Sequence, residues 1–290
     1  MKWKGRRQSD NVIDSRGKRV VRTAGSGALL SLVGRRFGIK GILVLFGIIG
    51  LLWITGLVDP NAFLGGPAQT RSVPVEASPE EQERFDFVTV VLADTEDVWH
   101  QIFARHGESY PEPQLEIYRG QVPTACGMGS AQMGPFYCPG DRKVYIDLGF
   151  YDELAETFQA PGDFAQAYVI AHEIGHHVQN LLGTSDRVHA MQGRPDYNQY
   201  SVRLELQADY YAGVWANHNR KYLDEGDIME AVRAANAIGD DAIQGRMRGR
   251  VVPHTFTHGT SEQRMRWFTR GYQSGTLEDG DTFSVPYDRL

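Results

Sequence analysis

The sequence predicts an α+β fold that is mainly helical, with a small sheet and a single N-terminal transmembrane helix ahead of it. Three observations carry this expectation. Segments beyond residue 78 place apolar residues at helical spacing between recognisable caps. Only two short runs, Leu115–Tyr118 and Lys143–Leu148, are β-prone. From Gly41 to Val58 run 18 residues without a charge, about the length that spans a hydrocarbon core as a helix.

Charge divides the chain in the same place. The 290 residues carry a formal net charge of −6, but residues 1–58 hold 11 Lys/Arg against 2 Asp/Glu and the remainder carries −15. A basic head on an acidic body points to a membrane boundary and argues against nucleic acid as a partner of the body. Residues 1–37, rich in Arg, Lys, Gly and Ser, show no apolar period and read as a mobile cytoplasmic tail. Residues 38–58 read as the anchor. Arg35, Arg36 and Lys40 precede the run, Trp53 suits an interface, and Asp59 follows. The positive-inside rule then puts the N-terminus in the cytoplasm and residues 59–290 outside, in the periplasm or its equivalent. A cleaved signal peptide would not carry about 40 residues ahead of its apolar part, nor lack a small-residue cleavage site. Residues 59–77 contain Pro60, Gly65, Gly66, Pro67 and Pro74 and read as a flexible linker. The folded domain then occupies 78–290.

Its elements have clear punctuation. Ser78 as N-cap, Pro79 at the first helical position and Glu80 and Glu81 in the first turn open a helix that extends to Arg105. Cys126 and Cys138 are the only cysteines. Both fall in the outer segment, where an even pair favours a disulfide. Asp163 and Gln166 have the spacing of a capping box, and Gly183 follows Leu181-Leu182 as a helix terminator. Between them Ala167, Ala171, Ile174, Val178 and Leu181 form one apolar stripe. A further helix covers Asn198–Asn217, and later ones Asp227–Ile238 and Ser261–Gly271.

The chemistry lies in the stretch His172-Glu173-Ile174-Gly175-His176. Residues four apart on a helix differ by about 40° in direction and by one turn in height. Both imidazoles therefore leave one face and can meet one zinc ion, while Glu173 can reach a water as general base. His177 points about 100° away from His176 and cannot join them. A third protein ligand is required, and Glu205 on the next long helix supplies it. Asp209, one turn on, can accept the other ring N–H of a ligand histidine. Two acids four apart usually mark a solvated helix face. Here Leu204, Leu206, Ala208, Tyr210, Tyr211, Val214 and Trp215 surround them, and buried acids need a partner such as a metal. The expectation is one Zn²⁺ per chain on His172, His176 and Glu205.

With Glu205-x-x-x-Asp209 downstream, His172-Glu173-x-x-His176 resembles the gluzincin metallopeptidases. The longer string Ala167–Gly183, together with Glu205-Leu206-Gln207-Ala208-Asp209, is similar to the bacterial neutral zinc metallopeptidase family. So are the opening Met1-Lys2-Trp3 and Gly134-Pro135-Phe136-Tyr137-Cys138-Pro139. The resemblance implies a zincin-like domain with a small sheet, and hydrolysis of protein or peptide substrates outside the cytoplasm or near the membrane. The segment Thr257-His258-Gly259-Thr260-Ser261-Glu262-Gln263-Arg264 is similar to one in the membrane-associated, HtpX-like gluzincins, except that small residues replace a proline pair. That likeness implies a role for His258, and for Arg264, in stabilising the oxyanion of peptide hydrolysis; for Arg264 the alternative is structural pairing to an acid. Gluzincins also align substrate along an edge strand, and Val144, Tyr145, Ile146 and Asp147 are the expected counterpart. Two rival classes are a zinc hydrolase of other bonds and a silent, membrane-tethered zinc module. An intact Glu173 speaks against the second, which has no use for a base.

Overall fold

The computed structural model describes residues 1–21, 35, 69–72 and 74–290. The expected anchor, 38–58, lies outside the described residues, as does most of the expected linker. No described helix is long and apolar enough to cross a membrane. The chain divides into two compact units, Met1–Ser15 with Glu76–Leu290, and Arg16–Val75.

The first fifteen residues differ from the mobile tail expected of them. Strand β1 (Val12–Asp14) pairs in parallel with β4 (Gln114–Tyr118), Val12 opposite Leu115. Trp3 packs edge-on against Phe87 with ring centroids 5.5 Å apart. Arg6 pairs with Asp94, Arg7 donates to Glu96 at 2.9 Å, and Ser9 donates to the same carboxylate at 2.5 Å. The charges that made this stretch look solvated are the partners of buried acids. In the smaller unit, β2 (Lys18–Val21) and β3 (Gln69–Ser72) pair antiparallel, with Lys18 opposite Ser72.

Helix α1 (Pro79–Arg105) begins as predicted, with the Ser78 hydroxyl accepting from the Glu81 amide at 3.2 Å. Behind β4 come an antiparallel ribbon, β5 (Gln121–Thr124) and β6 (Gly127–Ser130), then β7 (Phe136–Cys138) and β8 (Lys143–Asp147). The sheet order is β1-β4-β8-β7, with β4 and β8 parallel and β7 antiparallel to β8. Alternation sorts the side chains: Leu115, Ile117, Val144 and Ile146 enter the main core, while Tyr118, Cys138 and Tyr145 form a smaller cluster with Val122. The disulfide Cys126–Cys138 is present and ties the ribbon's turn to β7. One expectation is corrected here. Val144, Tyr145, Ile146 and Asp147 belong to an interior strand, β8, flanked by β4 and β7; among the described residues, β7 pairs with no further strand. Three residues between Gly134-Pro135 and Pro139-Gly140 are too short a run to announce a strand in sequence.

The helical part follows: α2 (Phe150–Glu156), α3 (Asp163–Leu181), α4 (Thr184–His189), α5 (Tyr197–His218), α6 (Asp227–Ala237), α7 (Asp240–Arg248) and α8 (Ser261–Ser274). Helix α3 is central and packs against α1, α5 and α6. Its C-terminus ends on Gly183 in the left-handed region, φ 71°, as expected. Its N-terminus is not the capping box of Asp163 and Gln166. Asp163 is the first helical residue and accepts from the α-amino group of Met1 at 2.7 Å, while Glu230 of α6 caps the Phe164 amide at 3.1 Å. A long-range carboxylate has replaced the local one. Helix α8 does open on a capping box, formed by Thr260 and Gln263.

Candidate metal centre

Two helices make the site, and a glycine sets their distance. A β-carbon on Gly175 of α3 would lie 2.9 Å from the carbonyl oxygen and 3.0 Å from the Cα of Ala208 on α5. Gly175 stands between Glu173 and His176, and Ala208 between Glu205 and Asp209. Backbone contact at this crossing brings the pairs His172/His176 and Glu205/Asp209 face to face.

His172, His176 and Glu205 each turn one ligand atom to a common point, and these atoms lie within 4.8 Å of one another. Nε2 of His172 is 3.2 Å from Glu205 Oε2, and Nε2 of His176 is 3.5 Å from Glu205 Oε1. The edge of a tetrahedron with zinc–ligand bonds near 2.05 Å is about 3.3 Å. Each histidine thus stands near that edge length from one oxygen of Glu205, and a set of two imidazoles and a carboxylate leaves a fourth position.

The far side of each imidazole is fixed. His172 Nδ1 is 2.8 Å from Asp209 Oδ1. Asp209 also accepts from Arg264 Nε at 2.8 Å, from Arg264 Nη2 at 2.9 Å, and from the Tyr168 hydroxyl at 2.5 Å. An ionised carboxylate only accepts, so His172 carries its proton on Nδ1 and offers Nε2. His176 Nδ1 is 2.9 Å from Gln179 Oε1. The amide of Gln179 cannot turn round, because its nitrogen donates to the Leu204 carbonyl at 2.6 Å and to Gln207 Oε1 at 3.1 Å. Gln207 in turn donates to the Gly280 carbonyl at 2.9 Å. His176 therefore also offers Nε2.

Sequence reading missed Gln179, Gln207 and Tyr168. Tyr168 and Gln179 had one visible signal: they sit a turn before His172 and a turn after His176 on the ligand helix.

Burial and charge act together on these groups. Burial alone would raise Asp209, but Arg264 and His172 outweigh it and hold the carboxyl at about 2. Burial would lower His172; Asp209 and Glu205 outweigh it and lift the imidazole to about 9, so a metal ion at Nε2 takes the place of a proton there. Glu205 is held well below the usual carboxylate range by the two histidines, against its own burial. Glu173 is pushed up, chiefly by burial. His177 stands apart, as expected. Its Nε2–H donates to the Pro111 carbonyl at 2.7 Å and its Nδ1 accepts from the Tyr137 hydroxyl at 3.0 Å. Burial pushes it down to about 4, so it is neutral and turned to the β7 side.

A cleft of about 980 Å³ opens over the site, and Glu173, His172, His176, Glu205 and His258 line it together. His258 is half exposed. Its Nδ1 lies 3.2 Å from Asp240 Oδ1, whose carboxylate also accepts the backbone amides of Thr257, His258 and Gly259. Asp240, missed in sequence, thus fixes the loop that carries His258. Arg264 is buried against both oxygens of Asp209, which is the structural pairing considered for it. Of the strand expected to align substrate, Val144, Tyr145 and Ile146 are buried; the strand residues on the cleft are Phe136 and Tyr137 of β7.

Comparison with known proteins places these features in a group. The family model described as "Putative neutral zinc metallopeptidase" matches residues 1–283. The chain is 45% identical over 288 residues to the uncharacterized protein YpfJ of Escherichia coli K12, covering 98% of this chain and 99% of that one. It is 46% identical over 189 residues to the uncharacterized protein Rv2575 of Mycobacterium tuberculosis H37Rv, covering 61% and 64% of the two chains. No solved structure matches it.

Proposed function

Given that the chain belongs to the neutral zinc metallopeptidase family, we propose that it is a zinc-dependent endopeptidase acting on extracytoplasmic or membrane-proximal proteins. The observation that carries the proposal is the convergence of His172, His176 and Glu205, with ligand atoms within 4.8 Å of one another, in an open cleft shared with Glu173. Zinc, when bound there, supplies the Lewis acidity that lowers the pKa of water and polarises a carbonyl. The remaining work belongs to the chain. Glu173, whose basicity burial raises, takes the proton of the attacking water and delivers it to the leaving amine nitrogen. His258, held toward its protonated form by its bond to Asp240 and by the field of Glu205, donates to the oxygen on which negative charge develops. The edge of β7 on which no described strand pairs accepts an extended substrate by backbone hydrogen bonding. Attachment to the membrane through 38–58, with residues 1–15 on the same side as the body they pack into, is part of the proposal, and the disulfide fits a body in an oxidising compartment.

The test is Glu173→Gln in the purified protein, assayed on an unfolded protein substrate and for bound zinc. The variant keeps its metal and loses about 10²–10⁴-fold in turnover. Unchanged hydrolysis in the variant removes Glu173 as base, and a wild type that hydrolyses esters but no peptide removes the peptidase assignment.

A further inference from the structure

We propose that a second cavity, behind α4, binds a short zwitterionic peptide with an apolar side chain, and that this occupant strengthens the hold of the metal site on zinc through Gln207 and Gln179. The binding stands apart from the peptidase reading; the coupling rests on the zinc reading of His172, His176 and Glu205.

Helix α4 is a partition. Ser185, Asp186 and His189 line the cleft, while Thr184, Arg187 and Met191 line a cavity of about 470 Å³ on the other side. Val188 lines both, and no other described residue does. Helix α5 is divided in the same way. Tyr200, Gln207 and Tyr211, at i, i+7 and i+11, share one stripe and line this cavity. Glu205 and Asp209 leave the opposite face, toward the two histidines. The segment 277–283 closes the third side.

The lining selects the occupant. Leu182, Val188, Met191, Leu277 and Phe283 supply apolar surface. Among the described residues Arg187 makes no ion pair; it donates to the Thr184 hydroxyl at 3.0 Å and the Gly183 carbonyl at 3.4 Å. Asp281 makes none either, and accepts the backbone amides of Phe283 and Ser284 at 2.8 and 3.2 Å. Tyr211 lies in the field of both charges. It is 3% exposed, and its hydroxyl makes no hydrogen bond among the described residues. A buried hydroxyl on a cavity wall calls for a partner. A free carboxylate answers Arg187 and Tyr211, and a free ammonium answers Asp281. An occupant of one sign alone would face an unanswered like charge. The volume is in the range of small-molecule sites, about 300–1,000 Å³, and suits a di- or tripeptide.

The wall of this cavity reaches a metal ligand in three hydrogen bonds. Gln207 Nε2 donates to the Gly280 carbonyl at 2.9 Å, Gln179 Nε2 donates to Gln207 Oε1 at 3.1 Å, and Gln179 Oε1 holds His176 Nδ1 at 2.9 Å. Gln207 and Gly280 both line the cavity. A peptide bridging Arg187 on α4 and Asp281 on the 277–283 segment holds Gly280 under Gln207, and with it the orientation of Gln179 and the imidazole. By linkage, peptide and zinc raise each other's affinity by one factor.

Leucyl-glycine and the uncharged N-acetyl-leucinamide are titrated calorimetrically into the zinc-free protein. Leucyl-glycine binds. The uncharged compound, and leucyl-glycine on Arg187→Gln, a change at an exposed position, bind about 10- to 100-fold more weakly, the loss of a charge-assisted hydrogen bond. Zinc affinity is then measured by chelator competition in Glu173→Gln protein, which does not consume the peptide. Saturating leucyl-glycine raises it about 5- to 100-fold. Adding Arg187→Gln removes the rise by removing the peptide; adding Gln207→Met removes the rise while the peptide still binds. No binding to the zinc-free protein, or equal binding of the two compounds, overturns the site. A rise that persists with Arg187→Gln places the peptide on the metal and overturns the coupling. A protein that takes up no zinc overturns the metal reading and the coupling together, and the zinc-free titrations still decide the site.

Discussion

Gln179 holds the proton of His176 in the place where Asp209 holds that of His172, and the two devices differ in kind. Asp209 is charged and acts by charge as well as geometry. Gln179 is neutral, and its orientation depends on the Leu204 carbonyl and on Gln207. Replacing Gln179 by Leu frees the imidazole to turn and to adopt either tautomer. Zinc affinity, measured by competition with a chelator, should fall about 10- to 100-fold while the fold persists; unchanged affinity would show that the bond has no hold on the ligand. The Asp209 carboxyl has a separate signature. Its folded value of about 2 lies below its ordinary 3.8. A depressed carboxylate contributes stability that is present above the unfolded value and is lost as pH falls toward the folded one, here between about pH 4 and pH 2, and worth about 2 kcal/mol. Asp209→Asn should flatten the acid side of the stability profile in that window, and a profile as steep as the wild type's would assign the acid loss to other groups. His172, Glu173, His176, Glu205 and Asp209 were all legible in sequence because each relation is an i, i+1 or i, i+4 spacing on one helix. Gln179 was not, because nothing local says which acceptor an amide will choose.

At the scale of elements, the crossing of α3 and α5 does what neither helix can. Spacing within each helix aligns two side chains; bringing the two pairs together needs the backbones to touch, which Gly175 permits against Ala208. Gly175→Ala places a methyl group against backbone that cannot rotate away. The helices must separate, and we expect about 1–3 kcal/mol of lost stability together with weaker zinc binding. Denaturant unfolding and metal titration check this, and a variant normal in both would mean that the pair tolerates a wider crossing. A similar close approach joins α5 to α8, where a β-carbon on Gly271 would overlap the Tyr210 carbonyl. Helix positions were readable from the sequence because caps and apolar stripes are local signals. The sheet was only half readable: β4 and β8 stood out, but β1 and β7, three residues each, take their conformation from the strands they pair with. That is why β8 was expected at the edge that β7 occupies.

At the scale of the molecule, residues 1–15 and 76–290 fold as one unit. We propose that they lie on the same side of any membrane the chain enters. The positive-inside reading of Arg35, Arg36 and Lys40 beside the apolar run put them on opposite sides, and the Arg- and Lys-rich composition made residues 1–15 look solvated, although Arg6 and Arg7 pair with Asp94 and Glu96. Single cysteines introduced at the exposed positions Gln8 and Asp288 should react alike with a membrane-impermeant maleimide in intact cells. Labelling of one and protection of the other would show that the N-terminal segment does not join the body in the cell.

The measurement closest to the central claim is anomalous diffraction at the zinc edge from crystals of the protein prepared with zinc. One peak should stand within about 2.0–2.2 Å of His172 Nε2, His176 Nε2 and a Glu205 carboxylate oxygen, with its fourth side open to the cleft. A peak elsewhere, or none while those three groups remain bonded only to one another, would contradict the account.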